Sequence, residues 1–214
     1  MTNFKYTISF CLAISIIIVS CSGLKHNWKI SDSLLKKEAM NFQDEMNTHY
    51  KNPVTSPLDS LDLVAFEGLD FFDVNDKYRV IAKLKLTPNA ESFEMATSTD
   101  RLPVYRQYGI LSFKLNEQDL RLSVYENVAL KEKEEYKDYL FLPFKDATNG
   151  FGSYGGGRYL DLEKPKEGKF MVIDFNKAYN PYCAYSDKYS CPVPPRENHL
   201  DIEIKAGVKR PKGH

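Results

Sequence analysis

The side chains best suited to chemistry crowd into residues 141–198, and the acids come first. Asp146, Asp161 and Asp174 each fall near the end of an apolar run, and Arg158 is the nearest attractive cation. A carboxylate pair could do general acid–base work, one group holding a proton while the other accepts one. Asp174 interrupts the run Phe170-Met171-Val172-Ile173, which predicts a partly buried carboxylate. A buried carboxylate needs a partner. The expectation is a structural link between Asp174 and Arg158, with acid–base chemistry at the same residues as the sharper alternative.

Cys183 and Cys191 stand eight residues apart in a Tyr- and Pro-rich loop, and His199 follows eight residues later. Four readings are open: a disulfide, two buried free thiols, a metal site, or a catalytic Cys183–His199 pair. The disulfide leads if the chain is exported, because oxidising compartments favour it. Cys-x7-Cys-x7-His matches no zinc spacing, so no metal is expected. Asn176, Tyr179, Asn180, Tyr182, Tyr185 and Asn198 combine ring faces with amide donors and acceptors. That mixture suits a sugar or another small polar ligand. It also suits a loop pinned to its own sheet, with amides satisfying turn backbone. Gly155, Gly156 and Gly157 precede Arg158 and could form an anion-binding nest. No Walker Lys-Ser/Thr and no Rossmann pattern accompanies them, so a tight bend is the plainer expectation and no cofactor is implied.

Seven short strands must position these residues. Tyr78, Val80, Ala82, Leu84 and Leu86 alternate with polar side chains, predicting a half-buried strand. Val104 to Leu115 reads as a strand with Gly109 as a bulge or bend, and Leu111–Leu115 and Leu120–Val124 read as a hairpin around Asn116 to Asp119. Tyr139 to Phe144, Arg158 to Leu162, Phe170 to Phe175 and Leu200 to Ile204 complete the set. Pro88 to Asp100 reads as a polar connection. Before the strands, Leu35, Ala39, Phe42, Met46 and Tyr50 recur at helical spacing, and Asn52-Pro53 ends that helix. The expected fold is mainly β: an antiparallel sandwich or barrel of about seven strands with one N-terminal amphipathic helix.

The N-terminus reads as an address. Lys5 precedes the apolar run Ile8 to Val19, too short for a comfortable membrane span and suited to a signal peptide. Ile18-Val19-Ser20-Cys21 resembles a relaxed bacterial lipobox. That resemblance implies cleavage before Cys21, a diacylglycerol thioether on its sulfur, and anchoring in a membrane facing the periplasm or cell surface. A plain cleaved signal peptide and an uncleaved anchor are the alternatives. The expected organisation is a leader over 1–20, a tether over 21–30, one β-rich domain over 31–207 and a disordered basic tail over 208–214. Lysine plus arginine balance aspartate plus glutamate at 29 each, so no basic excess points to nucleic acid.

PFKDATNG at 143–150, YGGGRYLDL at 154–162, DFNKAYNPYCAY at 174–185 and SCPVPPREN at 190–198 resemble the bacterial and archaeal family labelled domain of unknown function 1684, over about residues 28–207. The resemblance implies no activity, substrate or cofactor. Some family members lack export leaders, which weakens the case for a disulfide. The leading expectation is a lipid-anchored envelope protein binding a small polar ligand or glycan. The alternatives are a hydrolase-like enzyme around Arg158, Asp174 and Cys183, and a purely structural envelope protein.

Overall fold

Alternation turns into sheet from Arg79 onward. The strands are β1 (Arg79–Leu86), β2 (Ser92–Glu94), β3 (Val104–Leu115), β4 (Gln118–Asn127), β5 (Tyr139–Phe144), β6 (Arg158–Glu163) and β7 (Phe170–Asp174). The computed structural model describes residues 32–211. The expected leader, the lipidation site Cys21 and the tether lie outside the described residues.

All seven strands form one antiparallel sheet in the order β6-β5-β4-β3-β1-β7, with β2 pairing β3. The fold is therefore mainly β, a single curled sheet. β3 and β4 join through Asn116 and Glu117, both at positive φ (50° and 61°). That is the backbone a two-residue hairpin turn demands of a twisted strand pair. The register slips between Gln107 and Gly109, placing the bulge at the expected glycine. The two ends of the strand order then meet. Tyr179, five residues past the end of β7, exchanges both backbone hydrogen bonds with Tyr159 of β6 (2.9 and 3.0 Å). The sheet thus curls into a half barrel.

Period-two alternation sorts the side chains. Val80, Ala82, Leu84, Leu111, Leu122 and Leu142 represent the interior row, all buried in one cluster. Each valine or leucine among them contributes about 1.5–3 kcal/mol when fully buried. Tyr105, Tyr125, Phe141 and Tyr159 form a second, separate cluster on the outer face. Helix α1 (Asp32–Lys51) lays Ala39 and Tyr50 inward. It is tied to β1 by the Arg79–Glu38 ion pair (2.9 Å). The short helix α2 (Ser60–Val64) follows; Tyr50, Leu58, Ala184 and Tyr185 form a third buried cluster.

Three expectations are corrected. Leu200 to Ile204 is not a strand: its side chains do alternate between buried and exposed, but it joins no ladder of the sheet. The connection over 88–100 contains the short strand β2 instead. The tail does not begin at Val208, which is buried and bridges to Phe71, while Lys209 and Arg210 donate to the carbonyls of Asp70 and Gly152.

Candidate functional site

β6 carries both a fully buried cation and an exposed carboxylate of the candidate set, because adjacent residues face opposite sides of a strand. Arg158, Leu160 and Leu162 point inward; Tyr159 and Asp161 point outward.

Arg158 is fully buried, and its guanidinium pairs with Asp146 (2.7 Å), whose side chain is also sealed from solvent. This corrects the expected Arg158–Asp174 link. The guanidinium also donates to the carbonyls of Ile204 (2.8 Å), Ala206 and Val208 (3.3 Å). It lies between the rings of Phe72 and Phe144. Asp146 uses its other oxygen for the Thr148 amide and hydroxyl and the Ile204 amide. Burial pulls the Arg158 guanidinium below its ordinary range, and the Asp146 carboxylate works against that pull. The pair thus does for residues 204–208 what a neighbouring strand would do, supplying donors and an acceptor to their backbone, while the main chain of Lys145 and Ala147 bonds that of residues 198–202. The glycine triplet serves geometry. Gly157 has φ +98°, and a Cβ there would stand 2.8 Å from the Phe144 carbonyl and 2.7 Å from Pro194.

The other amides and acids also hold the frame. Asp174 sits opposite Arg79 across the β1–β7 register and accepts from it at 3.0 Å, and from the Asn176 amide and side chain. Asn176 exchanges two hydrogen bonds with the backbone of Asn75. Asn198 is buried and bonds the amide and carbonyl of Ser123 in β4 and the carbonyl of Pro143 in β5. It acts as a wedge where β4 and β5 share a single registered pair, Tyr125 with Phe141. Asn180 is buried and donates to Tyr185 Oη and the Lys209 carbonyl. Tyr182 is half-buried, lies parallel to the His49 ring (centroids 6.1 Å apart) and hydrogen-bonds it at 2.9 Å. His199 meets the Pro194 carbonyl, and no hydrogen bond among the described residues joins it to Cys183.

Asp161 is the exception. It is exposed on the outer face, yet aromatic side chains crowd its base. The hydroxyls of Tyr139 and Tyr179 both donate to Oδ1, each at 2.7 Å. Among the described residues no hydrogen bond reaches Oδ2 and no cation pairs with the carboxylate. Burial against the rings pushes the carboxyl above the ordinary aspartate range, and the two hydroxyl donors oppose the shift. Burial also pushes Tyr139 and Tyr179 up, with the Asp161 charge adding to it, so both keep their protons at neutral pH and remain donors. Around them Phe141 and Tyr159 meet edge to face (4.8 Å), as do Tyr159 and Tyr179 (5.9 Å). Tyr139 was missed by sequence reasoning, although its period-two spacing from Phe141 on β5 places it on this face.

Cys183 and Cys191 flank the same aromatic layer as two half-buried free thiols. The Cys183 amide donates to Cys191 Sγ at 3.3 Å. A hydrogen bond from the Cys191 thiol pulls Cys183 down to about 6, against burial and with help from Ser98 and Tyr154; the same bond pushes Cys191 up.

The comparisons with known proteins agree with this architecture and name no activity. The chain belongs to the family described as a protein of unknown function, DUF1684, whose sequence model matches residues 64–209. It is similar to an uncharacterized protein from Haloarcula marismortui whose solution NMR structure is known. The two share 34% identity with a TM-score of 0.67, over 85% of this chain and 97% of the other. The chain matches no curated protein.

Proposed function

We propose that this protein is a lipid-anchored binding module of the cell envelope, taking a small polyhydroxylated or amino-bearing ligand at Asp161. One observation carries the ligand site. A solvent-facing carboxylate has one oxygen fixed by two tyrosine hydroxyls, and no internal partner among the described residues takes up the other. The free oxygen is an acceptor oriented before any ligand arrives, which lowers the ordering cost of binding. The partly exposed rings of Tyr139 and Tyr179 add apolar surface of the kind that packs against sugar C–H groups. With no cation beside Asp161, the site favours hydrogen-bond donors and ammonium groups over anions.

Neutral mono- and disaccharides and their amino-sugar counterparts, titrated against labelled protein, test the site by amide and tyrosine NMR shifts. Binding at about 1 mM, equivalent to about −4 kcal/mol, is the expected order for so open a site. Asp161→Asn is expected to weaken it about tenfold, with Tyr179→Phe close behind. Shifts that ignore both substitutions, or no shifts from any sugar, would overturn the assignment. Anchoring is tested separately by metabolic labelling with a fatty acid, which Cys21→Ser should abolish.

A further inference from the structure

We infer that Cys183 and Cys191 form a reversible redox pair, a dithiol that exchanges with small disulfides and closes into an intramolecular disulfide. This goes beyond the ligand reading at Asp161 and does not depend on it.

The geometry comes from two anchored backbones. Cys183 sits in the single helical turn Tyr182–Ala184, closed by hydrogen bonds from Ala184 to Pro181 and from Tyr185 to Tyr182. Cys191 is fixed to the facing loop in both directions. The Ser98 amide donates to its carbonyl at 2.9 Å, and its own amide donates to Ser98 Oγ at 3.1 Å. Pro192 then bridges to Thr97. These contacts bring the Cys191 sulfur onto the Cys183 amide, 3.3 Å from its nitrogen. Neither anchor involves a sulfur, so both sulfurs are left to react.

Access agrees with this geometry. Both residues are half-buried, so a small reagent can reach them, whereas a structural thiol is sealed among aliphatic groups. The residues between them include exposed Asp187 and Lys188, which leaves the intervening turn free to adjust. Hydroxyls stand near the sulfurs as well as rings: Ser98 and Tyr154 both act to lower the Cys183 pKa. The lowered pKa of Cys183 supports its role as the attacking group.

The chemistry balances with a low-molecular-weight disulfide as oxidant. The Cys183 thiolate attacks one sulfur of the reagent, forming a mixed disulfide and expelling one thiolate. Cys191 then loses its proton to solvent, and its sulfur attacks Cys183. The protein disulfide forms and the second reagent thiolate leaves. Two protein thiols are oxidised, and one reagent disulfide is reduced to two thiols.

The full chain, incubated with oxidised glutathione and then alkylated, tests this by peptide mass mapping. The expected product is a Cys183–Cys191 disulfide, with both sites protected from alkylation and restored by dithiothreitol. Cys191→Ser is expected to stop at a mixed disulfide on Cys183. It should form about tenfold faster than the one on Cys191 in Cys183→Ser, because the serine hydroxyl still donates to Cys183. Circular dichroism of both variants confirms that the fold is retained. Two thiols that stay alkylatable overturn the proposal. So do two independent mixed disulfides with no internal bond, or equal rates in the two variants.

Discussion

Replacing Arg158 with methionine is the most direct test of the idea that a buried ion pair substitutes for a strand. Methionine keeps much of the apolar stem and loses the guanidinium. Two costs follow from the contacts. Asp146, sealed from solvent, loses its counter-ion, and breaking a buried pair in this way costs about 3–5 kcal/mol. The carbonyls of Ile204 and Ala206 lose their donor, and each unsatisfied buried acceptor costs about 1–3 kcal/mol. Together these reach roughly 5–11 kcal/mol, against a total domain stability of about 5–15 kcal/mol. Arg158→Met should therefore stand at the edge of folding at room temperature. Asp146→Asn retains an acceptor for Thr148 and Ile204 and should cost about 3 kcal/mol. Because the two residues are in contact, the double variant should cost less than the sum of the singles by about 1–3 kcal/mol. Urea unfolding followed by circular dichroism gives the energies. Hydrogen exchange on peptides covering 198–211 locates the damage, which should appear first between Leu200 and Val208. An Arg158→Met protein within about 1 kcal/mol of the parent, with protection over that segment intact, would refute the reasoning.

Three further outcomes are expected. Gly207→Ala should destabilise by about 2–4 kcal/mol, measured by urea unfolding, since φ is +72° and the new Cβ would meet the Ala178 and Phe175 carbonyls at 2.6 and 2.8 Å. Asn198→Ala should cost about 2–4 kcal/mol and raise exchange at the Ser123 amide specifically, because that amide loses its buried acceptor. For Asp161 the folded-state carboxyl is raised, so the folded protein binds more protons than the unfolded one between about pH 4, the ordinary aspartate value, and its own higher value. Its contribution to stability therefore falls as pH rises through that window and is flat above it. Asp161→Asn should remove that slope, as read from unfolding midpoints across pH.

Alternation carried most of the fold. The boundaries expected at Val104, Leu115, Tyr139 and Phe144 are those observed, because hydrophobic period and turn chemistry coincide there. β2 escaped because three residues, Ser92 to Glu94, are too few to show a period. Leu200 to Ile204 shows the opposite failure. Alternation reports which side chains are buried and says nothing about what satisfies the backbone, and here the main chain of Lys145 and Ala147 does so together with a guanidinium and a carboxylate. The site was legible only in part. Arg158 and Asp161 were placed together by nearness in sequence, yet their odd spacing on β6 sends them to opposite faces. Strand register paired Asp174 with Arg79, ninety-five residues away, and register is a tertiary fact that no local pattern carries.

The clamp on residues 204–208 constrains the length of the chain more than its composition. Arg158 takes the carbonyls of residues 204, 206 and 208, every second one, and the left-handed Gly207 (φ +72°) lies between the last two. A guanidinium that binds main-chain oxygens is indifferent to the side chains they carry. Relatives are thus free to vary the outward residues Asp201, Glu203 and Lys205, whereas inserting or deleting a single residue would turn the carbonyls away and the buried side chains outward. Across the family this stretch should drift in sequence while keeping its residue count fixed.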